Sequence, residues 1–238
     1  MKRKIFSDNL KIKNNKNAPV DSSARSVFRS KMKQVLSIFF IFFSLIKIQA
    51  QKDVAKIIDA SNIDIIEINS DEVYKISLKT AAVSNISITT HSEGEYFNNI
   101  FLRSEINGRK LLLSSEYPES YTGGFDKLSA HKVFSLEVTI EIPANRQVFL
   151  RSNIASVIAE GDFKDFEANL KQGYCRLLDF KGNATINTFE GDIFVKTTKA
   201  TVEASTRTGS LELANLSPGT NLLKLTSING AISVQKTK

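Results

Sequence analysis

The chain has 238 residues, which is enough for one large domain or two small ones. Residues 1–50 hold 11 of the 32 Lys and Arg but only 2 of the 25 Asp and Glu, so residues 51–238 hold 21 and 23 and are nearly neutral despite the overall charge of +7. A neutral body behind a basic leader lacks the electrostatic footprint of a nucleic-acid-binding protein, and the single cysteine, Cys175, excludes a disulfide within the chain.

The basic leader divides into two parts. Residues 1–31 are polar and aperiodic, so we predict disorder there, and we interpret Met32 as the start site and the preceding residues as an extension of the gene model. Residues 32–50 have a charged start, an apolar run of 12 residues from Val35 to Ile46 and the small residue Ala50 at the end, which is typical of a signal peptide.

We expect cleavage of this signal between Ala50 and Gln51 and export to the periplasm or the cell surface. A membrane-spanning helix needs about 20 apolar residues, so the run is too short for a stable span. A retained membrane anchor is the alternative interpretation.

Residues 51–142 predict a strand-rich part. Segments such as "NIDIIEIN", "VYKISLKT" and "VFSLEVTIEI" are rich in branched apolar residues with partial period-two alternation. Asn107–Gly108 lies between two of these segments and predicts a hairpin turn. Residues 120–130 read as a loop.

Residues 143–238 contain a repeat. Gly173, Gly191, Gly209 and Gly230 are spaced by 18, 18 and 21 residues, and Asn153 lies 20 before the first. Apolar residues recur at matching positions around each glycine, which predicts a β-solenoid of about five coils, each of 18–21 residues, that bury their faces against their neighbours. We expect positive φ at Gly191 and Gly209, with buried side chains at Ile186, Val195, Val202 and Leu213.

The tripeptide Glu-Gly-Asp occurs at residues 160–162 and 190–192. Such paired carboxylates suggest a metal site. However, Gly191 shares its turn with Gly173 and Gly209, whereas Gly161 falls on the opposite turn with Gly182 as its counterpart. No column of carboxylates forms, so we assign both copies to turn chemistry and predict no metal site.

No catalytic or cofactor-binding motif is present in the sequence. It lacks G-x-S-x-G, H-E-x-x-H and a phosphate-binding glycine loop, so we predict a protein that is not an enzyme. A metal site at His91, Glu93 and Glu95 lacks a defined ligand geometry, and His131 is expected at the surface. Cys175 occupies an inward strand position and is expected to behave as a small core hydrophobe.

Two outward columns stand beside the repeated glycines. Asn169, Asn187, Ser205 and Thr226 form a polar column whose side chains can bond along the solenoid, while the other column alternates cationic and apolar residues: Lys171, Phe189, Arg207 and Ile228. Phe194 and Leu178 are also expected to face outward. Such a surface is either a site for a partner or sugar or a face covered by residues 51–142.

The strand ending in "EIPAN" and the strand–"xxG"–strand units that follow it resemble the DUF4097-like family of putative adhesin domains of bacterial envelopes. The compatible region begins near residue 55 and covers most of the mature chain, and a signal ending in "AQ" resembles those of Bacteroidetes. The resemblance implies a β-solenoid, export and no established enzymatic activity.

Together these features predict an exported, non-enzymatic adhesin or interaction module that binds a protein or glycan of the cell envelope. Two alternatives remain open. One is a β-helix enzyme acting on polysaccharides as a lyase or hydrolase, and the other is an envelope-sensing partner domain.

Overall fold

The computed structural model describes residues 51–94, 101–116 and 134–237. Within these residues the chain forms fifteen β-strands and no helix, which confirms the predicted all-β class. Gln51 begins the first strand, whereas Ala50, the predicted signal peptide and the predicted disordered extension lie outside the described residues.

Strands β2 to β7 follow the segments that the apolar alternation predicts, whereas β1 is not among the predicted segments. The first eight are β1 (Gln51–Asp59), β2 (Ile65–Asn69), β3 (Lys75–Ala81), β4 (Asn85–Gly94), β5 (Phe101–Asn107), β6 (Lys110–Glu116), β7 (Phe134–Pro143) and β8 (Gln147–Ser152). The other seven are β9 (Ser156–Gln172), β10 (Cys175–Glu190), β11 (Ile193–Thr197), β12 (Lys199–Thr206), β13 (Leu211–Leu213), β14 (Ser217–Asn229) and β15 (Ile232–Lys236).

All fifteen strands belong to one mixed sheet that does not close on itself. The antiparallel pairs lie in the first half of the chain and include β5 with β6, joined at Gly108 with φ 59°, so the predicted Asn107–Gly108 hairpin is confirmed. Strand β2 runs parallel to β8, and β3 runs parallel to β9. The first half of the chain therefore joins the second half by strand pairing.

Parallel pairing relates four successive units of the second half. We call residues 165–178, 183–197, 199–213 and 217–236 units A, B, C and D. Ile186 of unit B lies between Ala168 of unit A and Leu225 of unit D, and Leu225 has Ala204 of unit C on its other side. The spatial order is therefore A, B, D, C.

This order differs from the chain order that the regular glycine spacing implies. Unit D directs Leu223, Leu225 and Ile232 inward, and all three are buried. The first strand of unit C offers mainly small inward residues such as Ala200 and Ala204. The interior position therefore goes to the unit that removes more apolar surface from water.

The position of unit C at the end of the stack corrects one predicted core residue. Ile186 and Val195 are buried as expected, and Val202 is partly buried against the core. Leu213 was expected inside, but it is 48% exposed because the strand that carries it pairs on one side only within the described chain.

The backbone prediction for the repeated glycines is also corrected. Positive φ occurs at Gly173 but not at Gly191 or Gly209, so those two predictions are wrong. Asn153 is not the counterpart of Gly173 either, because the β8–β9 register pairs Ser152 with Leu170 and places Gly173 against the carbonyl of Ala155. Gly161 and Gly182 both lie at the opposite edge with positive φ, but they are not counterparts in register, because Asp162 pairs with Lys181 and Gly182 stands against the carbonyl of Phe163.

Threonine hydroxyls lie beside the repeated glycines in units B and C, and three phenylalanine rings pack at the opposite turn near unit A. Next to the repeated glycines, the Thr188 hydroxyl donates to the Gly191 carbonyl at 2.9 Å and the Thr206 hydroxyl donates to that of Gly230 at 2.8 Å. At the opposite turn, the ring of Phe163 contacts those of Phe166 and Phe180, each at 5.4 Å between centroids. The hydroxyls thus satisfy backbone carbonyl groups at one edge, and the rings pack together at the opposite edge. The outward faces of the strands take part in neither and are free for contact.

Candidate functional site

A groove of about 690 Å³ runs across the outward face formed by β8 and by the first strands of units A, B and D. We call it the first groove. Its lining consists of Asp71, Arg151, Ser152, Asn153, Asn169, Leu170, Lys171, Asn187, Thr188, Phe189, Thr226 and Ile228. Among the described residues, Asp71 is the one lining residue from the first half of the chain, so the described strands β1–β7 extend the sheet and do not cover this groove.

The unit order changes the chemistry of the cation-and-apolar column. Phe189 lies directly beside Ile228, because neighbouring residues of β10 and β14 pair in that register. Lys171 then stands on the outer side of Phe189, and Arg207 stands on the outer side of Ile228. The alternation expected from the sequence is replaced by an apolar pair between two cations.

Phe189 is a prominent member of this surface. It is 47% exposed although it has a paired strand on either side, near the end of β10. Large apolar side chains that remain open to solvent beside polar groups are typical of contact sites. The column therefore offers a flat ring face for a ligand.

The predicted bonding along the polar column is confirmed for the two asparagines. Asn187 Nδ2 donates to Asn169 Oδ1 at 2.9 Å, and Asn169 Nδ2 donates to Glu167 Oε1 at 2.8 Å. Thr226 follows Asn187 in register, and Ser205 follows Thr226. These hydrogen bonds fix the orientation of both side-chain amides, so their remaining donors and acceptors face the groove in a set direction.

The charges of the first groove are positive on balance. Arg151 and Lys171 are exposed, and Asp71, the one acidic residue of the described lining, accepts a hydrogen bond from the backbone N–H of Asn153 at 3.0 Å. Arg151 also contributes to holding the pKa of Glu67 below its usual range, behind the larger effects of hydrogen bonds from Lys110 and Asn69. An acidic or polar neutral ligand suits this balance better than a basic one.

A second groove of about 460 Å³ lies on the other side of the repeated glycines, beyond the turn. The Arg176 guanidinium stacks over the Tyr174 ring at 4.5 Å from its centroid, and Phe194 and Leu178 also line the groove, as the sequence predicted for outward residues. Asp192 lines it too, but its Oδ1 accepts the backbone N–H of Ala231 at 2.8 Å.

The two Glu-Gly-Asp copies lie on opposite edges, as the spacing predicts. Glu190 is exposed between Gln172 and Asn229, and Asp192 stabilises the turn of unit D through Ala231. Around the first copy, Asp162 pairs with Lys181 at 3.1 Å. Among the described residues, no group of three or more His, Cys, Asp or Glu is arranged to hold a metal ion.

His91 lies between two carboxylates on the surface of β4. Its Nδ1 is 2.5 Å from Asp53 Oδ1, and its Nε2 is 2.9 Å from Glu93 Oε1. The hydrogen bond to Asp53, followed by that to Glu93, raises the pKa of His91 above its usual value. The arrangement favours a protonated imidazole that joins β1 to β4. Glu95 and His131 lie outside the described residues.

Cys175 is buried in the core column between Val157 and Ile193, which confirms its predicted role as a small hydrophobe. Burial raises the pKa of its thiol to about 12. A thiol in this state is not a nucleophile at neutral pH.

Sequence reasoning missed several lining residues of both grooves. Asp71 and Arg151 reach the first groove through strand pairing between distant segments, for which the sequence carries no local signal. Tyr174 and Arg176 flank the inward Cys175, so the alternation that places Cys175 inside also indicates that its neighbours face outward.

No protein-family model matches the sequence, and no curated protein matches it. Within the described part of the chain, no helix is long and apolar enough to cross a bilayer. The remaining comparison is with solved structures.

One similar structure is that of a putative cell adhesion protein from Clostridium sporogenes, with a TM-score of 0.57 and 13% identity over 79% of this chain and 100% of the other. A putative adhesin from Bacteroides fragilis aligns with a TM-score of 0.34 and 10% identity, over 78% of this chain and 97% of the other. A putative lipid binding protein from Parabacteroides distasonis aligns with a TM-score of 0.22 and 12% identity, over 79% and 97%.

At 13% identity, the likeness to the Clostridium protein shows a shared fold and does not extend to a ligand. The other two TM-scores are too low to support an argument. The chain is therefore similar in fold to a protein described as a putative cell adhesion protein.

Proposed function

We propose that this protein is an exported, non-enzymatic interaction module of the bacterial cell envelope that binds a protein or glycan partner in the first groove. The observation that carries the proposal is the exposed ring of Phe189 with the half-buried Ile228 beside it, set between Lys171 and Arg207 and next to the hydrogen-bonded amides of Asn169 and Asn187.

This combination suits a polar ligand with one apolar face. An exposed aromatic ring packs against the C–H face of a sugar or against an apolar side chain, while oriented amides and cations bind hydroxyl, carbonyl or acidic groups. A volume of about 690 Å³ lies within the range of ligand sites. The long open form of the groove favours an extended partner, such as a glycan chain or a peptide segment.

The architecture that we propose is a β-solenoid of the DUF4097-like adhesin type, with its units stacked in the order A, B, D, C. The parallel pairing of residues 18 positions apart supports it, as in Asn169 with Asn187. The description of the Clostridium protein as a putative cell adhesion protein supports the adhesion role, and the signal-like residues 32–50 support export.

The chemistry of the first groove supports a binding role over a hydrolytic one. Glycoside hydrolysis needs two carboxylates at a set separation across the substrate. Asp71 is the one carboxylate among the described lining residues, and its Oδ1 already accepts the Asn153 N–H.

A binding screen with a matched pair of variants tests this function. The protein recovered from an expressing bacterium is applied to glycan arrays and used for capture of envelope proteins, alongside Phe189→Ser and the control Ile106→Ser, which removes an equally open apolar side chain from β5. We expect Phe189→Ser to weaken binding about tenfold or more and Ile106→Ser to leave it unchanged. Absence of any partner together with a measured turnover on a polysaccharide panel would overturn the proposal.

A further inference from the structure

The stack of units ends at unit C, and this end is open. Within the described part of the chain β12 pairs only with β14, and β13 pairs only with β15. Leu211 and Leu213 are 47% and 48% exposed, although their direct neighbours in register, Ile232 and Val234, are buried. The inward face of the last unit is thus left partly in contact with water.

Such an edge attracts another strand. It presents a row of unpaired backbone N–H and C=O groups next to apolar side chains, and repeat proteins need their terminal unit to be capped by a polar face. Unit C has no polar replacement at Leu211 or Leu213. The edge therefore fits a second strand that both pairs with its backbone and covers its apolar residues.

The sequence of β12 is complementary to itself in the antiparallel direction. Lys199, Thr201 and Glu203 are exposed, while the residues between them face inward. If two β12 strands pair about a two-fold axis at Thr201, Lys199 of each copy lies opposite Glu203 of the other. The same register places the inward Ala200 opposite Val202, so both faces match.

Neighbouring registers are less favourable. A two-fold axis at Glu203 sets two carboxylates opposite each other, which destabilises the pair. An axis at Val202 leaves Lys199 opposite Ser205 and makes no direct ion pair. Charge therefore selects the axis at Thr201.

We propose that the protein forms a two-fold symmetric dimer in which the β12 strands of two copies pair antiparallel about Thr201 at the open end of unit C. A two-fold interface is self-complementary, so each copy pairs with the β12 edge of the other. This inference does not depend on the proposed ligand of the first groove, which lies on the outward face of the other units.

The oligomeric state of the protein recovered from an expressing bacterium provides the first test. Sedimentation equilibrium over a range of concentrations should show a monomer–dimer equilibrium. In Thr201→Lys two ammonium groups meet at the axis, so the dimer Kd should rise about tenfold or more, whereas the control Gln172→Lys adds the same charge at the exposed end of β9 and should leave it unchanged. A wild-type protein that stays monomeric, or a Thr201→Lys dimer of unchanged Kd, overturns the proposal.

Charge complementation tests the register. Lys199→Glu alone sets Glu opposite Glu203, and Glu203→Lys alone sets Lys opposite Lys199, so each variant should dimerise weakly. An equal mixture of the two variants restores both opposite-charge pairs, and native mass spectrometry should show the heterodimer well above the 1:2:1 ratio of random pairing. A distribution at 1:2:1 or below it would overturn the register. Because each chain carries its own substitution in both the homodimer and the heterodimer, effects on folding cancel.

Discussion

Gly191 lies so close to Gly173 that a Cβ added to Gly191 would stand 1.8 Å from the Gly173 carbonyl oxygen. The obstructing atom belongs to the backbone of the adjacent unit, so a rotamer change cannot relieve the contact. Glycine is required here by the spacing between units.

The substitution Gly191→Ala should therefore force units A and B apart. We expect a loss of about 3 kcal/mol in the free energy of unfolding, measured by urea denaturation. Gly108→Ala is the matched control, because Gly108 has positive φ but nothing within 4 Å of an added Cβ, and it should cost about 1 kcal/mol. If the control proved more damaging than Gly191→Ala, unit spacing would not be the constraint.

Glu190 and Asp192 are interpreted as turn residues rather than as metal ligands, and the two interpretations predict different stabilities for variants at these positions. Ile186→Asp places an unpaired charge in the core and should cost on the order of 4 kcal/mol or more. Replacing Glu190 and Asp192 with Ala removes one exposed side chain and one hydrogen bond to Ala231, which should cost about 1 kcal/mol.

Thermal unfolding with and without calcium separates these cases. Neither variant should change the response of Tm to calcium. A calcium-dependent rise in the wild-type Tm that disappears in the double alanine variant would identify a metal site and contradict the turn interpretation.

The protonation of His91 should follow its two carboxylate neighbours. Its pKa in the folded state is raised above 6.5 by the hydrogen bonds to Asp53 and Glu93. The stabilisation is therefore fully present below the unfolded pKa and is lost as the pH rises through the folded pKa. An NMR titration of the imidazole should give a midpoint above 6.5, and Asp53→Asn should lower that midpoint.

Asp59→Asn is the control for this titration, because Asp59 lies on the same strand but bonds to Ser61. His91→Gln assigns the signal, since the chain has 2 histidines. An Asp53→Asn variant with an unchanged His91 midpoint would contradict the pairing.

Cys175 should be unreactive until the protein unfolds. Its thiol is buried and has a pKa of about 12, so the thiolate fraction at pH 8 is negligible. Iodoacetamide should label one thiol per chain in guanidinium and none in the native state. Rapid labelling of the native protein would contradict this expectation and show that β10 exposes Cys175 to solvent without global unfolding.

The sequence carried enough information for the strands and for the inward columns, because both depend on local alternation. Ile186, Val195 and Cys175 are buried as their repeat positions indicate. The order of the units could not be predicted from the sequence, because all units share the same pattern of inward and outward residues. Only the sizes of the inward residues in units C and D distinguish them, and their effect depends on the packed core.

The outward residues of the candidate site follow from the sequence, whereas their order across the sheet does not. Phe189, Lys171 and the two asparagines were placed on the outward face correctly. The contact between Phe189 and Ile228 follows from the unit order, so it was hidden for the same reason. Asp71 joins the groove by a contact between segments 82 residues apart, at Asn153.

The interior position of unit D has a consequence for how the protein is made. The first strand of unit C finds its partner in β14, which is synthesised later, so residues 199–206 emerge before the strand that hydrogen-bonds to them. A solenoid stacked in chain order can add one coil at a time as it leaves the ribosome or a secretion channel. Here residues 199–206 lack a strand partner until β14 has been made, so we expect units C and D to dock together rather than one after the other.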